Sequence, residues 1–449
     1  MNDLDAVLNQ LSLHGISRIK LGATDIDGIL RGKYISLEKF TSAAASGLGF
    51  CDVIFGWDMN DVLYDNVKFT GWHTGYPDAH ASIDLDTLRF IPWEPGTAFF
   101  LLDFLTRDKQ PLSISPRQVL QRVLKRAAAM GYKAHCAGEY EFWIFKETAE
   151  SLRSKSFRGI TPLSPGMFGY SVLRASQNST LVIDLMDGMQ GFGIPLEGFH
   201  TETGPGVYEA AIAVDDALAA ADKAALFKTA AKEICARHGV TPTFMAKWNA
   251  DLPGSSGHIH QSLTSVVDDR CVFYEDGVPS PLMMHYIGGM TTYIPELMSM
   301  IGPTINSYKR TVPGTWAPVN ATWAEDNRTT AVRAIRGSAK STRIELRLSA
   351  ADMNPYLAMA ASLAAGLEGI ERGIEPKAAT TNAYAASSDC AALPCDLAAA
   401  TAALRASAMA RDWFGDDFVE HYAATREWEV RQYQRAVTDW ELARYFESI

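Results

Sequence analysis

The sequence predicts an α+β protein made of a small N-terminal unit and a larger C-terminal one, and three observations carry that expectation. At 449 residues and 47% hydrophobic content the chain exceeds what one core usually organises. Helical patterns in the second part are long, Ala-rich and capped, whereas the first part shows short strand-like runs broken by Pro and Gly. The strands between the later helices carry paired charges instead of uniform apolar runs.

Taken in order, a helix is expected near Asp3–Leu13, followed by strands around Arg18–Asp25 and Ile83–Arg89, with the turn signal P-W-E-P-G after the second. A boundary near Gln110–Pro116 divides the chain into units 1–110 and 111–449. The next helix opens with Pro116 at its first position and closes at Gly131. Asp215–His238 and Asn354–Gly373 read as Ala-rich helices, the second with Asn354 as N-cap, Pro355 at the first position and Gly373 beyond the end. Ala378–Ala403 reads as a surface loop and helix. The aromatic, charged tail Trp413–Ile449 suits a docked C-terminal helix or a subunit contact. The chain has no internal repeat.

Composition excludes several function classes. A formal net charge of -11 without a basic tail argues against nucleic acid as a partner. No apolar run approaches a membrane span, and M-N-D-L-D-A-V-L lacks the basic segment and apolar core of a signal peptide, which places the protein in the cytoplasm. The six cysteines are scattered without C-x-x-C spacing, so reduced thiols are expected in place of a zinc knuckle or a disulfide framework.

Against that acidic balance, Lys309–Arg347 sets eight basic residues against three acidic ones, which points to an anionic ligand. The stretch ends in R-I-E-L-R: as a strand it would present Arg343, Glu345 and Arg347 on one face and bury Ile344 and Leu346 on the other. A solvated edge strand has the same pattern. In G-E-Y-E-F-W-I-F, Glu139 and Glu141 face the same way from an aromatic strand. Two such charges about 4 Å apart repel by roughly 4 kcal/mol at an effective dielectric near 20, so they call for protons or metal ions. Glu197, Glu202 and Glu209 follow around a loop shaped by T-G-P-G, and G-S-S-G-H-I-H puts His258 and His260 on one side of a strand. Carboxylates with imidazoles and no thiolate suit Mg²⁺ or Mn²⁺ better than zinc. Singly, each motif is also the pattern of a structural histidine pair or a salt-bridging strand.

Together, in this order and spacing, E-x-E, E-x-x-x-x-E with a glutamate after G-P-G, G-S-x-G-H-x-H, N-S-Y-K-R-T-V-P-G, N-R-T and R-I-E-L-R resemble the glutamine synthetase family over nearly the whole chain. D-I-D-G-I-L-R-G-K is similar to that family's small β-grasp domain, and N-P-Y-L-A-M-A-A-S-L-A-A-G-L-E-G-I to the helix after its last metal ligand. The resemblance implies an N-terminal β-grasp domain and a catalytic domain of antiparallel sheet and helices. It implies two or more Mg²⁺ or Mn²⁺ ions, one held by Glu141, Glu202 and Glu209 and the other by Glu139, His258 and Glu345, with ATP as co-substrate. Arg310, Arg347 and backbone at Gly254 would grip glutamate, with Glu141 beside them, and Glu197, His260, Ser262, Arg333, Lys340 and Arg343 would contact nucleotide. Arg328 would neutralise charge during transfer, and Arg310 and Glu345 would share in the chemistry through γ-glutamyl phosphate. A homo-oligomer of stacked rings, a dodecamer, with sites shared between subunits belongs to the same expectation.

Two positions depart from the family. Ammonia-using members carry K-R-x-V-P-G-x-E-A-P in the flap, where this chain reads K-R-T-V-P-G-T-W-A-P, so Trp316 replaces a carboxylate. F-C-D-V-I-F-G-W-D stands in place of D-G-S-S at the ammonium site, leaving Asp52 or Asp58 to supply an acid. Both changes point to an organic primary amine as acceptor, with ammonia as the alternative and a non-catalytic family member as a remote one. N-A-Y-A at 382–385 only weakly resembles the family's adenylylation setting.

Overall fold

The computed structural model describes residues 3–312, 314–381 and 391–449, so the tyrosine of N-A-Y-A lies outside the described residues. Asp3 stands at the N-cap of α1 (Leu4–Leu13), whose Val7 and Leu11, four residues apart, are both buried. The chain then forms β1 (Arg18–Thr24), β2 (Leu30–Ser36), α2 (Leu37–Ser46), β3 (Leu48–Cys51), β4 (Asp78–Phe90) and β5 (Thr97–Leu105). Among the described residues these strands make a sheet in the order β2-β1-β5-β4-β3, with β1 and β5 parallel and the other pairs antiparallel, the arrangement of a β-grasp unit. Phe40 and Ala43 of α2 join Val7 and Leu11 on Ile19, Leu21, Phe100 and Phe104, giving this unit its own core.

A second core begins at α3 (Pro116–Ala129), which has Pro at its first position as expected and ends before Gly131. The long strand β6 (Tyr132–Phe145) follows, then α4 (Ala149–Ser154), α5 (Val172–Gln177), α6 (Ser179–Gly191), β7 (Leu196–Thr201), β8 (Val207–Ile212) and the two-residue β9 (Asp215–Asp216). Helix α7 (Ala217–Arg237) starts two residues later than the sequence suggested, because Asp215 and Asp216 pair with β6. Next come β10 (Thr241–Thr243), β11 (Gly257–Ser265), the hairpin β12 (Tyr274–Glu275) and β13 (Val278–Pro279), α8 (Pro281–Ile301), β14 (Trp323–Glu325), β15 (Val332–Ile335) and β16 (Arg343–Leu346). Helix α9 (Pro355–Arg372) has the predicted caps: the Asn354 side chain accepts from Tyr356 N, and Gly373 takes the left-handed conformation at φ 62°. The tail divides into α11 (Ala408–Phe414), α12 (Asp416–Arg435) and α13 (Asp439–Tyr445) after α10 (Leu397–Ala406), with a break at Gly415.

The main sheet runs β14-β15-β16-β11-β6-β8-β7 among the described residues. Its two faces differ sharply. From β6, Cys136, Tyr140, Phe142 and Ile144 point into a core shared with α7 and α9, while Ala137, Glu139 and Glu141 line an open cleft. β16 follows the same alternation, with Ile344 and Leu346 buried in the core. It lies between β15 and β11, so the edge-strand reading of R-I-E-L-R does not hold.

A buried ion cluster joins the N-terminal sheet to the helices of the second core. Arg117 of α3 donates from Nε to Asp222 Oδ1 at 2.9 Å, from Nη1 to Asp103 Oδ2 at 2.7 Å and from Nη2 to Asp84 Oδ2 at 2.8 Å. Tyr356 OH of α9 also donates to Asp222 Oδ1, at 2.7 Å. One guanidinium thus ties β4 and β5 to α3 and α7, and α9 joins through Asp222. Asp222→Ala should lower stability by about 3–5 kcal/mol, since it strips a buried guanidinium of its most enclosed partner. Asp84→Ala, at the 25%-exposed end of the cluster, should cost about 1 kcal/mol or less. Denaturant midpoints of the two variants check this, and equal losses would refute the central place given to Asp222.

Candidate active site

Four adjacent strands build the centre of the cleft by register alone. Glu139 on β6 stands opposite His258 on β11, His260 on β11 opposite Glu345 on β16, and Glu345 opposite Arg333 on β15. Cross-strand partners on one face sit side by side. His258 Nδ1 accordingly lies 3.1 Å from Glu139 Oε2 and 3.4 Å from Glu345 Oε1. Arg333 Nη1 donates to Glu345 Oε2 at 3.0 Å, and Arg347 pairs with Glu345 Oε1. Arg343 Nε donates to His260 Nδ1 at 3.2 Å. Burial works against ionisation of Glu345, yet His258, Arg347, His260 and Arg333 hold its carboxyl down at about 2. Burial likewise opposes ionisation of Glu139, and hydrogen bonds to His258 and His260 hold it well below the usual carboxylate range.

A second row runs outward from β6, where Glu141 stands opposite Glu209 on β8 and Glu209 opposite His200 on β7. Glu141 Oε2 accepts from Ser256 N at 2.7 Å, so one of its oxygens is already engaged. Glu202 and Glu209 instead converge on a residue that sequence reasoning passed over, for His200 Nε2 lies 3.0 Å from Glu202 Oε1 and 3.4 Å from Glu209 Oε1. Tyr170, also missed, lines the cleft and stacks on His200 at 4.5 Å between ring centroids. The available signal was the two-residue spacing of His200 and Glu202, the strand period already used for Glu139 and Glu141.

Burial, followed by the charges of Glu139, Glu141 and Glu202, pushes Glu209 up from 4.5 to about 10. One acid of the group therefore keeps its proton at neutral pH; burial also raises Glu141, whereas burial is outweighed at Glu139 and Glu202 by hydrogen bonds to their histidine partners, which hold both carboxyls down. Carboxylate oxygens and imidazole nitrogens here form several groups of three donor atoms that lie within 4.8 Å of one another, a donor set that fits divalent cations.

The remaining predicted residues fall around this centre. Glu197, Ser262 and Lys340 line the same cleft of about 1110 Å³, as do Arg310, Arg328 and Gly254. Arg310 Nη2 donates to the carbonyls of Arg347 and Ser349 at 2.9 and 2.8 Å, and Arg347 Nε to that of Arg328 at 2.9 Å. Gly254 has no room for a side chain, since a Cβ there would come within 2.5 Å of Arg310 Cγ and 2.6 Å of Ala246 O. Trp316 lies at the cleft in the left-handed backbone region, with φ 60° and 66% exposure, beyond a turn in which Thr315 Oγ1 donates to Val312 O at 2.7 Å.

The two acids expected at the amine pocket do not line the cleft formed by their own chain. Asp52 is buried and accepts from Thr70 Oγ1 at 2.5 Å. Asp58 accepts from Asn60 N and Val62 N within its own turn and from Trp428 Nε1 of α12 at 3.1 Å. Thr70 thus engages the Asp52 carboxylate, and local turn geometry with the docking of α12 engages that of Asp58.

A mixed α/β chain whose sheet offers an acid and histidine centre beside a cluster of arginines is equipped to hold divalent ions and an anionic, phosphate-bearing substrate. The model of the glutamine synthetase catalytic domain matches residues 113–445. The chain is 46% identical to type-1 glutamine synthetase 2 of Dictyostelium discoideum over 100% of this chain and 87% of that one. It is 42% identical to a glutamate–isopropylamine ligase of a Pseudomonas species, covering 97% and 96% of the two chains. A GmaS structure in complex with ADP superposes with a TM-score of 0.85 at 27% identity, over 99% of this chain and 100% of that one. The protein belongs to the glutamine synthetase family and is an ATP-dependent carbon–nitrogen ligase. Among the described residues no helix is long and apolar enough to cross a membrane.

The protonated Glu209 makes a pH prediction. Its folded-state value lies above the unfolded one, so its contribution to stability is complete below pH 4.5 and is lost as pH rises to about 10. Glu139 and Glu345 are shifted downward and act below that window. Chelator-treated protein should lose stability across it, and Glu209→Gln should flatten the slope. Melting temperatures at a series of pH values check this, an unchanged slope in the variant being the contrary result. Divalent-ion binding near pH 7 should release about one proton per chain, measurable by calorimetry in two buffers.

Proposed function

We propose that the protein joins the side-chain carboxylate of L-glutamate to an organic primary amine, using ATP and passing through γ-glutamyl phosphate. The observation that carries this reading is Trp316, an indole at the cleft where ammonia-using relatives place the flap glutamate. An indole cannot accept the proton that an ammonium ion must lose, but its face offers apolar contact to the body of an amine. The preferred acceptor is therefore an aromatic or short alkyl monoamine, not a polyamine, whose second charge would need an acidic pocket. The resemblance to a glutamate–isopropylamine ligase supports the same choice.

In this reading Glu141, Glu202 and Glu209 hold one Mg²⁺ or Mn²⁺ ion and Glu139, His258 and Glu345 another, and bound ions would offset negative charge on the phosphates. Arg310, Arg347 and the backbone at Gly254 orient glutamate, bringing its side chain toward the phosphate that Arg333, Lys340, Arg343, His260, Ser262 and Glu197 position. Arg328 is aimed at charge that develops as the phosphoryl group moves and as the amine attacks. The two units, 1–110 and 111–449, act together in a homo-oligomer of stacked rings in the cytoplasm.

Glutamine synthesis from ammonia is the competing reading, favoured by 46% identity to a relative named as a type-1 glutamine synthetase. Phosphate release with ammonia, methylamine, ethanolamine, isopropylamine, aniline and putrescine at equal concentration separates the two. Isopropylamine or aniline should lead in the wild type, and Trp316→Glu should move preference toward ammonia. Ammonia outperforming every organic amine in the wild type would decide for glutamine synthetase.

The arginines divide by role. Arg328→Ala should lower kcat by about 10²–10³ with little change in the KM for glutamate, as for loss of a group that acts in the transition state. Arg347→Lys keeps a charge near Glu345 while losing the planar fork, and should mainly raise the KM for glutamate. If both variants shift only the KM for ATP, these roles are wrong.

A further inference from the structure

We infer that His200 is itself a metal ligand, giving the Glu202–Glu209 end of the site a nitrogen donor and a preference for Mn²⁺ and later first-row ions over Mg²⁺. The inference rests on the metal-dependent reading above and adds a residue to it. His200 is placed by pairing, since it stands opposite Glu209 in the β7–β8 register and two residues before Glu202. Its Nε2 is 3.0 and 3.4 Å from one oxygen of each. Two ligands about 2.1 Å from an ion at cis positions of an octahedron stand about 3.0 Å apart, so one ion can be shared among these three side chains.

The ring is also held in place. Ser171 N donates to Thr201 Oγ1 at 2.9 Å, Thr201 Oγ1 to Phe168 O at 3.0 Å and Tyr170 N to Thr201 O at 2.6 Å. That tether sets the Tyr170 ring parallel to the imidazole, with 8° between the planes. A histidine that only oriented the carboxylates would meet the same distances, but it would leave an all-oxygen set, which suits Mg²⁺, Ca²⁺ and Mn²⁺ without favouring the ions that imidazole binds.

Pulsed electron paramagnetic resonance of the Mn²⁺-loaded full chain, with calorimetric titration of Mn²⁺, Co²⁺ and Mg²⁺, tests this. His258 supplies one nitrogen coupling in the proposed second site, so the comparison is between wild type and variant. His200→Gln should remove one directly bonded nitrogen coupling and weaken Mn²⁺ and Co²⁺ at one site by about 10–100-fold, the scale for disturbing a metal shell. Mg²⁺ affinity should fall by less than about 3-fold, because Mg²⁺ takes oxygen donors. His200→Asp should lose the same coupling and bind Mg²⁺ more tightly than wild type. Equal metal-free melting temperatures show that the variants remain folded. An unchanged nitrogen spectrum, or an equal loss for all three ions, overturns the role of His200 and leaves the metal site standing. Absence of any divalent-ion binding to the wild type overturns the metal reading as well.

Discussion

The register of five neighbouring strands is the constraint on which the site depends. β7, β8, β6, β11 and β16 align their cleft-facing residues so that each acid stands beside an acid, an imidazole or, at the far end, an arginine-flanked acid. Because side chains alternate with period two, a slip of one residue in β6 would drive Glu139 and Glu141 into the core and bring Tyr140 to the cleft. The aromatic core face therefore does more than stabilise the sheet. Tyr140 and Phe142 hold the register, and the register holds the carboxylates.

Charge in the cleft is ordered along the sheet. Acids concentrate toward β8 and β7, where Glu209 keeps a proton, and guanidiniums concentrate toward β15, β16 and the flap. Glu345 lies at the crossing point, next to His258 on one side and Arg333 and Arg347 on the other. Such a gradient suits ATP-dependent chemistry, in which bound cations and arginines both neutralise charge on the phosphates.

Much of this was legible in the sequence because it is local. The alternation in R-I-E-L-R and G-E-Y-E-F-W-I-F, and the caps Asn354 and Gly373, each depend on a few consecutive residues, and the structure has them in those places. What escaped depends on distant partners. Asp58 offers no sign in its own segment that Trp428 of α12 will occupy it. His200 lies in a strand whose register is shifted by a bulge between Leu196 and Gly198, so its spacing from Glu202 is legible in the sequence but its meeting with Glu209 follows from the pairing. β2 is largely exposed and shows no alternation to read, and β4 begins five residues before the predicted Ile83–Arg89 and ends one after it, with an irregularity between Asp84 and Arg89.

The Arg117 cluster binds the segment that precedes the matched catalytic domain, residues 113–445, to that domain. Two of the three carboxylates on that guanidinium, Asp84 and Asp103, come from the N-terminal unit, and the third, Asp222, from the catalytic one. A fragment beginning at residue 111 would retain the arginine and lose the two acids that share its charge. Chimaeras that graft the first unit of one relative onto the second of another inherit the same demand, so in this chain the interface is tied to Asp84, Asp103, Arg117 and Asp222 as a set.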